Sequence, residues 1–301
     1  MFNKARVWIQ AARLRTLPLS VSGILLGNGY SLKHPSFSWL LFLLMLFTAI
    51  LFQIISNFAN DYGDGIKGTD NRNRVGPKRA LQSGMLSATE LKRGIVITAI
   101  IALCFSSITI ILAFGTDSLF YFILFILLSF LCVWAAISYT VGKNAYGYVG
   151  LGDLFVFLFF GILAVIGSSF VQLQTISRTL LQLSLIIGLL AVGVLNLNNM
   201  RDRENDAAFG KNTLAVLLGD KRAKIYHYSL LGLAITLIFV VFLNLSGPYF
   251  WLPITTVVPL VVHFFRVYKN VNPKLLDNEL KTLALSVFAF SALSFLTFYM
   301  C

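Results

Sequence analysis

SFSWLLFLLMLFTAILFQIISNFANDYGDGIKGTD, from Ser36 to Asp70, opens on a predominantly apolar run over residues 36–56 and closes on three carboxylates, Asp61, Asp64 and Asp70. An apolar run of about 20 residues is what a helix needs to cross the hydrocarbon core of a bilayer. Acidic side chains at the edge of lipid are costly and face a partner ion or a polar cavity. The stretch therefore predicts a membrane helix with chemistry at its end. A second stretch repeats the pattern: NLNNMRDRENDAAFGKNT, Asn196 to Thr213, closes an apolar run over 179–197. The two hold six of the chain's twelve carboxylates.

Similar runs lie at 17–32, 94–114, 119–138, 154–172, 225–246, 249–265 and 282–300, in a chain of 301 residues that is 57% hydrophobic and only 12% charged. The expectation is an all-α polytopic membrane protein, one domain over 1–301, with nine transmembrane helices around a central cavity. The first span is the weakest, because Gly23, Gly27, Asn28 and Gly29 dilute it. Residues 1–16 place Lys4, Arg6, Arg13 and Arg15 around Val7, Trp8, Ile9 and Leu14. They read as an amphipathic interfacial segment rather than a cleavable signal. Cys104, Cys132 and Cys301 are scattered and read as packing residues.

The net charge of +12 raises nucleic acid as a partner, and its placement argues against one. With nine spans, every Lys and Arg but Lys33 and Arg178 falls on one side, which the positive-inside rule makes cytoplasmic. No basic segment is interleaved with aromatics as single-strand binding requires. Asp117 is the only acid on the opposite side, where the connections, such as Ser246 to Pro248, are short.

If the second span continues helically, Asn57, Asp61 and Asp64 share a face, with Asn60 one turn before Asp64. Asn198, Asp202 and Asp206 follow the sixth span, each four apart, again one per turn. Four spans separate the copies, which suggests two four-helix pseudo-repeats plus one helix, both clusters facing a shared cavity. Magnesium takes hard oxygen ligands and keeps waters and substrate phosphate in its shell, so two such clusters suit a metal-bridged diphosphate. Basic residues follow each: Lys67, Arg72, Arg74, Lys78 and Arg79, then Arg201, Arg203 and Lys211. A phosphate ester accounts for both signs. A third segment, SYTVGKNAYGYVGLGD (Ser138 to Asp153), sets Tyr139 and Lys143 four apart among glycines, able to meet a phosphate oxygen. His34, His227 and His263 read as interfacial or packing residues, and the 27 Phe residues as filler and lipid-facing surface.

These motifs resemble the UbiA superfamily of intramembrane prenyltransferases, whose marks are NDxxDxxxD after the second span, YxxxK after the fourth and DxxxD after the sixth. Here they are Asn60 to Asp70, Tyr139 with Lys143, and Asp202 with Asp206. The third acid of the general first motif falls at Gly68, and Asp70 stands two residues further on. That form is similar to the menaquinone branch, the 1,4-dihydroxy-2-naphthoate polyprenyltransferases. VGPKRALQSG (Val75 to Gly84), YGYVGLGDLFVFLFFG (Tyr146 to Gly161), GKNTLAVLLG (Gly210 to Gly219) and ARLRTLP (Ala12 to Pro18) match it too.

The resemblance implies Mg2+-dependent transfer of a polyprenyl group from its diphosphate to 1,4-dihydroxy-2-naphthoate, with loss of carbon dioxide and diphosphate, giving demethylmenaquinone. It implies a bacterial plasma membrane with the site on the cytoplasmic side. Asn60, Asp61, Asp64, Asp70, Asp202 and Asp206 are the expected metal ligands. Lys67, Arg72, Lys78, Arg79, Lys143 and Lys211 are expected at the diphosphate with Tyr139, Asn57 and Asn198 at the substrate, and Arg13 or Arg15 at the naphthoate carboxylate. A different aromatic acceptor, such as 4-hydroxybenzoate, is the alternative within the superfamily, and a cation-coupled transporter the alternative outside it.

Overall fold

A computed structural model describes residues 4–72, 74–115, 118–245 and 247–300. Asp117, Ser246 and Cys301 lie outside them. Among the described residues every regular element is helical. A short helix, α1 (Lys4–Ala12), precedes α2 (Leu17–Ser31), α3 (Trp39–Ile66), α4 (Ala88–Phe114), α5 (Leu119–Ser138), α6 (Gly152–Leu173), α7 (Arg178–Ala208), α8 (Leu214–Phe242), α9 (Trp251–Lys269) and α10 (Leu276–Met300). Eight of these, α3 to α10, are long and apolar enough to cross a membrane among the described residues, and the chain is an integral membrane protein.

The ninth expected span, α2, has only 15 residues. At 1.5 Å per residue it is about 22 Å long, short of the hydrocarbon thickness. The residues that dilute its hydropathy, Gly23, Gly27, Asn28 and Gly29, are buried against α6 and α10 rather than turned to lipid. Small residues that let backbones approach are a usual basis of helix packing in membranes.

Polar caps start several helices. Ser38, Ser177 and Thr213 accept from the backbone N–H three residues on, opening α3, α7 and α8. Ser87 and Glu90 form a reciprocal capping box at α4. Helices α3, α4 and α7 run to 27–31 residues, more than a bilayer requires, while Gly219 (φ 72°) breaks α8 near its start. In α3 and α7 the surplus is the acidic tail at the charged end.

Helix α7 is the centre of the molecule, with 72% of its apolar window buried, against 11% for α5. Leu183, Ile187, Leu190 and Leu197 of α7 pack with Leu231, Ile238 and Phe242 of α8 and Leu283 and Phe290 of α10. His227, His263 and Glu279 cross-link α8, α9 and α10 inside this half: the two rings meet at 3.0 Å and Glu279 holds His263 at 2.8 Å. These histidines are therefore buried polar links.

Helix α6 is π-helical from Phe157 to Gly167, and that segment packs tightly on α7. A Cβ on Gly161 would lie 2.6 Å from the Gly188 Cα. Neither backbone can retreat without moving a whole helix. Gly161→Ala is expected to cost about 1–3 kcal/mol through overpacking, seen as a lower melting temperature in detergent; an unchanged melting temperature would contradict this packing.

The N-terminal segment does more than lie at the interface. Val7, Ala11 and Ala12 are buried against α3 and α4, and the Trp8 and Phe58 rings meet edge-on at 5.2 Å. A 3-10 turn, Leu14–Thr16, carries the chain from α1 into α2.

Candidate active site

The apolar run of α3 stays helical to Ile66, which puts Asn57, Asp61 and Asp64 on one buried face. Helix α3 then stops in a left-handed turn at Gly68 (φ 75°), where Lys67 N–H donates to Gly63 O and Gly68 N–H to Gly65 O. Glycine takes that conformation without a Cβ penalty. The turn explains the departure from the general acidic motif: position 68 must reverse the chain, and the acid is delivered by Asp70, whose N–H returns to Asp64 O at 3.2 Å.

Two of the expected metal ligands on this side hold the following loop instead. Asp61 accepts from the backbone N–H of Ala80 at 3.0 Å and of Leu81 at 3.1 Å. Asp70 is clamped by Arg74 Nε at 3.1 Å and Arg79 Nη1 at 2.9 Å. Arg79 also donates to Asn60 O at 2.6 Å and to Asp64 at 2.8 Å, so a single guanidinium ties the loop to the helix. Asn60 is positioned by Thr140, whose hydroxyl lies 3.3 Å from its Oδ1.

The second cluster mirrors this. Arg201 grips Asp202 with Nε at 3.1 Å and Nη2 at 2.6 Å, and reaches Asn198 and Asp277 as well. Arg74 joins the halves, pairing with Asp202 at 3.5 Å as well as with Asp70. Lys211 does the same, 3.5 Å from Asp64 and 3.8 Å from Asp206. Asn205 donates to Thr69 O and accepts from Asn71. Acids from α3 and α7 therefore meet through Arg and Lys. The principal neighbours of α3 are α2, α4 and α5, and those of α7 are α6, α8 and α10.

Below this network a cavity of about 970 Å³ runs between the helices. Its wall on α3 extends from Met45 to Asp64, about 28 Å along the axis. Toward the charged end it is lined by Asn57, Asn60, Asp61, Asp64, Arg74, Lys78, Arg79 and Lys211; deeper in, by Ile24, Phe52, Ile110, Phe125, Phe159 and Leu163. Helices α1 to α7, the loops that carry Arg74, Arg79 and Lys211, and Leu280 of α10 make the wall, while α8 and α9 contribute none of it. Among the described residues the lining thus leaves out α8 and α9, and the cavity belongs to the half built on α2 to α6 and one face of α7.

Several sequence expectations change at this level. Asp202 and Asp206 are buried but absent from the cavity lining, where their partners Arg74 and Lys211 appear instead. Lys143 and Arg72 are exposed and do not line it, whereas Tyr139 does. Lys67 sits 3.8 Å over the Tyr148 ring, outside the lining. Asn57 uses its amide to hold Ala12 O at 2.8 Å and Thr16 at 3.1 Å, pinning the N-terminal segment over the mouth.

That segment separates Arg13 from Arg15. Arg15 also borders the cavity, but it is exposed and pairs with Asp277 at 3.4 Å. Arg13 takes a left-handed backbone (φ 51°), lines the cavity, and keeps Nη2 buried without a hydrogen-bond partner. Burial, then the nearby Arg79 and Arg74, lower its pKa to about 9. A cation so placed gains from an anion brought beside it.

Arg74, Arg201, Asn205 and Tyr148 are site residues that the motif reading did not select. Arg74 was visible as one of five bases after the first acids, but spacing alone does not say which of them turn inward.

The donors suit Mg2+. All are hard oxygens, and Asp206 Oδ2 is buried with no hydrogen-bond partner. Among the described residues no three carboxylates converge into a cage; Mg2+ ordinarily keeps water and substrate phosphate in its shell.

Solved structures share this architecture. A UbiA homologue from Archaeoglobus fulgidus bound to DMAPP and Mg2+ aligns over 95% of this chain and 99% of its own, with a TM-score of 0.67 at 16% identity. The same homologue bound to GPP and Mg2+ gives 0.69 at 14% identity, over 95% and 98%. The fold is that of the UbiA-type intramembrane proteins. The sequence profile of the UbiA prenyltransferase family matches residues 20–298, and the chain belongs to that family. It is 43% identical to the 1,4-dihydroxy-2-naphthoate octaprenyltransferase of Escherichia coli over 76% of this chain and 74% of that protein. Identity to the Haemophilus influenzae protein of the same name is 44%, over 77% and 75%.

Proposed function

We propose that this protein transfers a polyprenyl group from polyprenyl diphosphate to 1,4-dihydroxy-2-naphthoate, with Mg2+, in menaquinone synthesis. The observation that carries the reading is a charge-paired acid and base network capping one end of a long apolar cavity. The relatives' names supply the acceptor. The basic residues gathered at that end support the reading that it faces the cytoplasm, in a bacterial plasma membrane.

Asn60, Asp64, Asp202 and Asp206 would hold Mg2+, with Asp61 and Asp70 fixing the loop that carries Arg74 and Arg79. Bound there, Mg2+ supplies Lewis-acid neutralisation of the diphosphate oxygens. The allylic C–O bond breaks and its electron pair leaves with the diphosphate. Arg79, Arg74 and Lys211 line the wall where that charge grows. The apolar wall excludes water from the allylic cation. The electron-rich carbon bearing the carboxylate attacks it, forming the new C–C bond, and the carboxylate leaves as carbon dioxide.

Purified protein with Mg2+, isoprenoid diphosphates of several lengths and either dihydroxynaphthoate or 4-hydroxybenzoate tests this directly by mass analysis of products. The expected result is a decarboxylated, prenylated naphthalenediol that disappears on chelation. Product from 4-hydroxybenzoate alone would overturn the acceptor, and product in chelator would overturn the metal.

Arg13 is assigned to the acceptor carboxylate. Removing a charge-assisted hydrogen bond costs about 1.5–3 kcal/mol, so Arg13→Gln is expected to raise KM for dihydroxynaphthoate roughly 10- to 100-fold, with KM for the diphosphate unchanged. Arg15→Gln, an exposed pair, serves as the control with little effect. Steady-state kinetics with each substrate varied in turn distinguishes the two.

A further inference from the structure

Tyr148 lies outside the cavity lining, yet the three loops at the charged end meet on it. It comes from the α5–α6 connection. Its hydroxyl donates to Asp64 Oδ1 at 2.8 Å and lies 2.7 Å from the Thr69 hydroxyl. With the phenol proton given to Asp64, the Thr69 hydroxyl must donate to Tyr148, a two-step relay ending on the carboxylate.

The ring does a separate job. Lys67 Nζ lies 3.8 Å from the ring centroid and Lys211 Nζ 5.4 Å from it. Both fall within the range where an aromatic face attracts a cation, about 6 Å. One lysine comes from the end of α3 and the other from the α7–α8 loop. The Tyr148 carbonyl also accepts from Asn212 N–H at 3.0 Å, so the α7–α8 loop is fastened to the same residue through the backbone.

We propose that Tyr148 is a positioning residue for the prenyl diphosphate half of the site: its hydroxyl orients Asp64, and its ring holds Lys67 and Lys211 as a cation pair for the diphosphate. This rests on the function proposed above. Hydroxyl and ring are separable by substitution. Tyr148→Phe removes the hydroxyl and keeps the ring; Tyr148→Leu removes both.

The test compares wild type, Tyr148→Phe and Tyr148→Leu in detergent by two measurements. One is steady-state kinetics with each substrate varied. The other is the melting-temperature shift produced by geranyl diphosphate with Mg2+, which needs no turnover. Tyr148→Phe is expected to lower kcat roughly tenfold while keeping the wild-type KM for the diphosphate and the ligand-induced shift. Tyr148→Leu is expected also to raise that KM about tenfold and to lose most of the shift, with KM for dihydroxynaphthoate unchanged. Wild-type kcat in Tyr148→Phe, or a full shift in Tyr148→Leu, would overturn the proposal. If Tyr148→Leu does not fold, Thr69→Val joins Tyr148→Phe: it should lower kcat in the same direction by breaking the relay, and wild-type kcat in both overturns the role of the hydroxyl. A wild-type protein that makes no prenylated naphthalenediol would sink the functional reading alone, because the melting shift still decides whether Tyr148 organises a diphosphate site.

Discussion

Asp64→Asn is expected to lower turnover by on the order of 10²–10³-fold, the size seen when a fixed electrostatic partner is removed from a dry site. Asp64 is the point on which the network converges: Arg79 at 2.8 Å, Tyr148 at 2.8 Å and Lys211 at 3.5 Å all address its two oxygens. The amide keeps the shape and can still accept hydrogen bonds, so the fold should survive and the loss should sit in kcat. Initial rates at saturating substrates, beside thermal unfolding in detergent, check this. A rate within tenfold of wild type would remove Asp64 from the chemistry. Asp202→Asn is the matched test on α7, where Arg201 and Arg74 would lose their shared counter-charge.

Arg79→Ala is expected to be the most destabilising single change at the site, by about 3–5 kcal/mol, because it takes from two buried carboxylates the cation they share, leaving Asp64 to Lys211 and Tyr148 and Asp70 to Arg74. Its guanidinium spans Asn60 O, Asp64 and Asp70 at 2.6, 2.8 and 2.9 Å. All three contacts fall on Nη1, and a lysine side chain is one bond shorter than the path to that atom, so Arg79→Lys should recover only part of the stability. Thermal unfolding in detergent gives the order: wild type above Arg79→Lys above Arg79→Ala. Equal melting temperatures for wild type and Arg79→Ala would show that the loop over residues 70–82 is held by other contacts.

The helices were legible because each apolar run has the length the bilayer demands and each surplus is polar. The span read at 36–56 and the helix observed over Trp39–Ile66 differ by the acidic tail, whose helical spacing was itself readable. The short α2 was the weakest signal for a physical reason: its glycines and Asn28 serve neighbouring helices, and hydropathy scores only lipid. The choice among bases was not legible. Arg72 and Arg74 are two residues apart, yet Arg74 pairs with Asp70 and Asp202 while Arg72 is exposed. The fold of an irregular loop decides that, and no periodicity encodes it. Tyr148 was hidden likewise: Tyr139, Tyr146 and Tyr148 share one glycine-rich segment, and its folding gives Asp64 to Tyr148.

Arg74, Arg79, Arg201 and Lys211 already occupy the carboxylates they accompany, which bears on what the pocket will admit. A solitary anion would draw these bases off Asp64, Asp70, Asp202 and Asp206 and strand them; a solitary cation would strand the bases. Either imbalance is costly where water is scarce. Only a guest carrying both signs can trade partners with every member of the network at once. Such an arrangement discriminates by exchange, and it gives the pocket a means of ignoring the phosphate and magnesium that surround it separately in a cell.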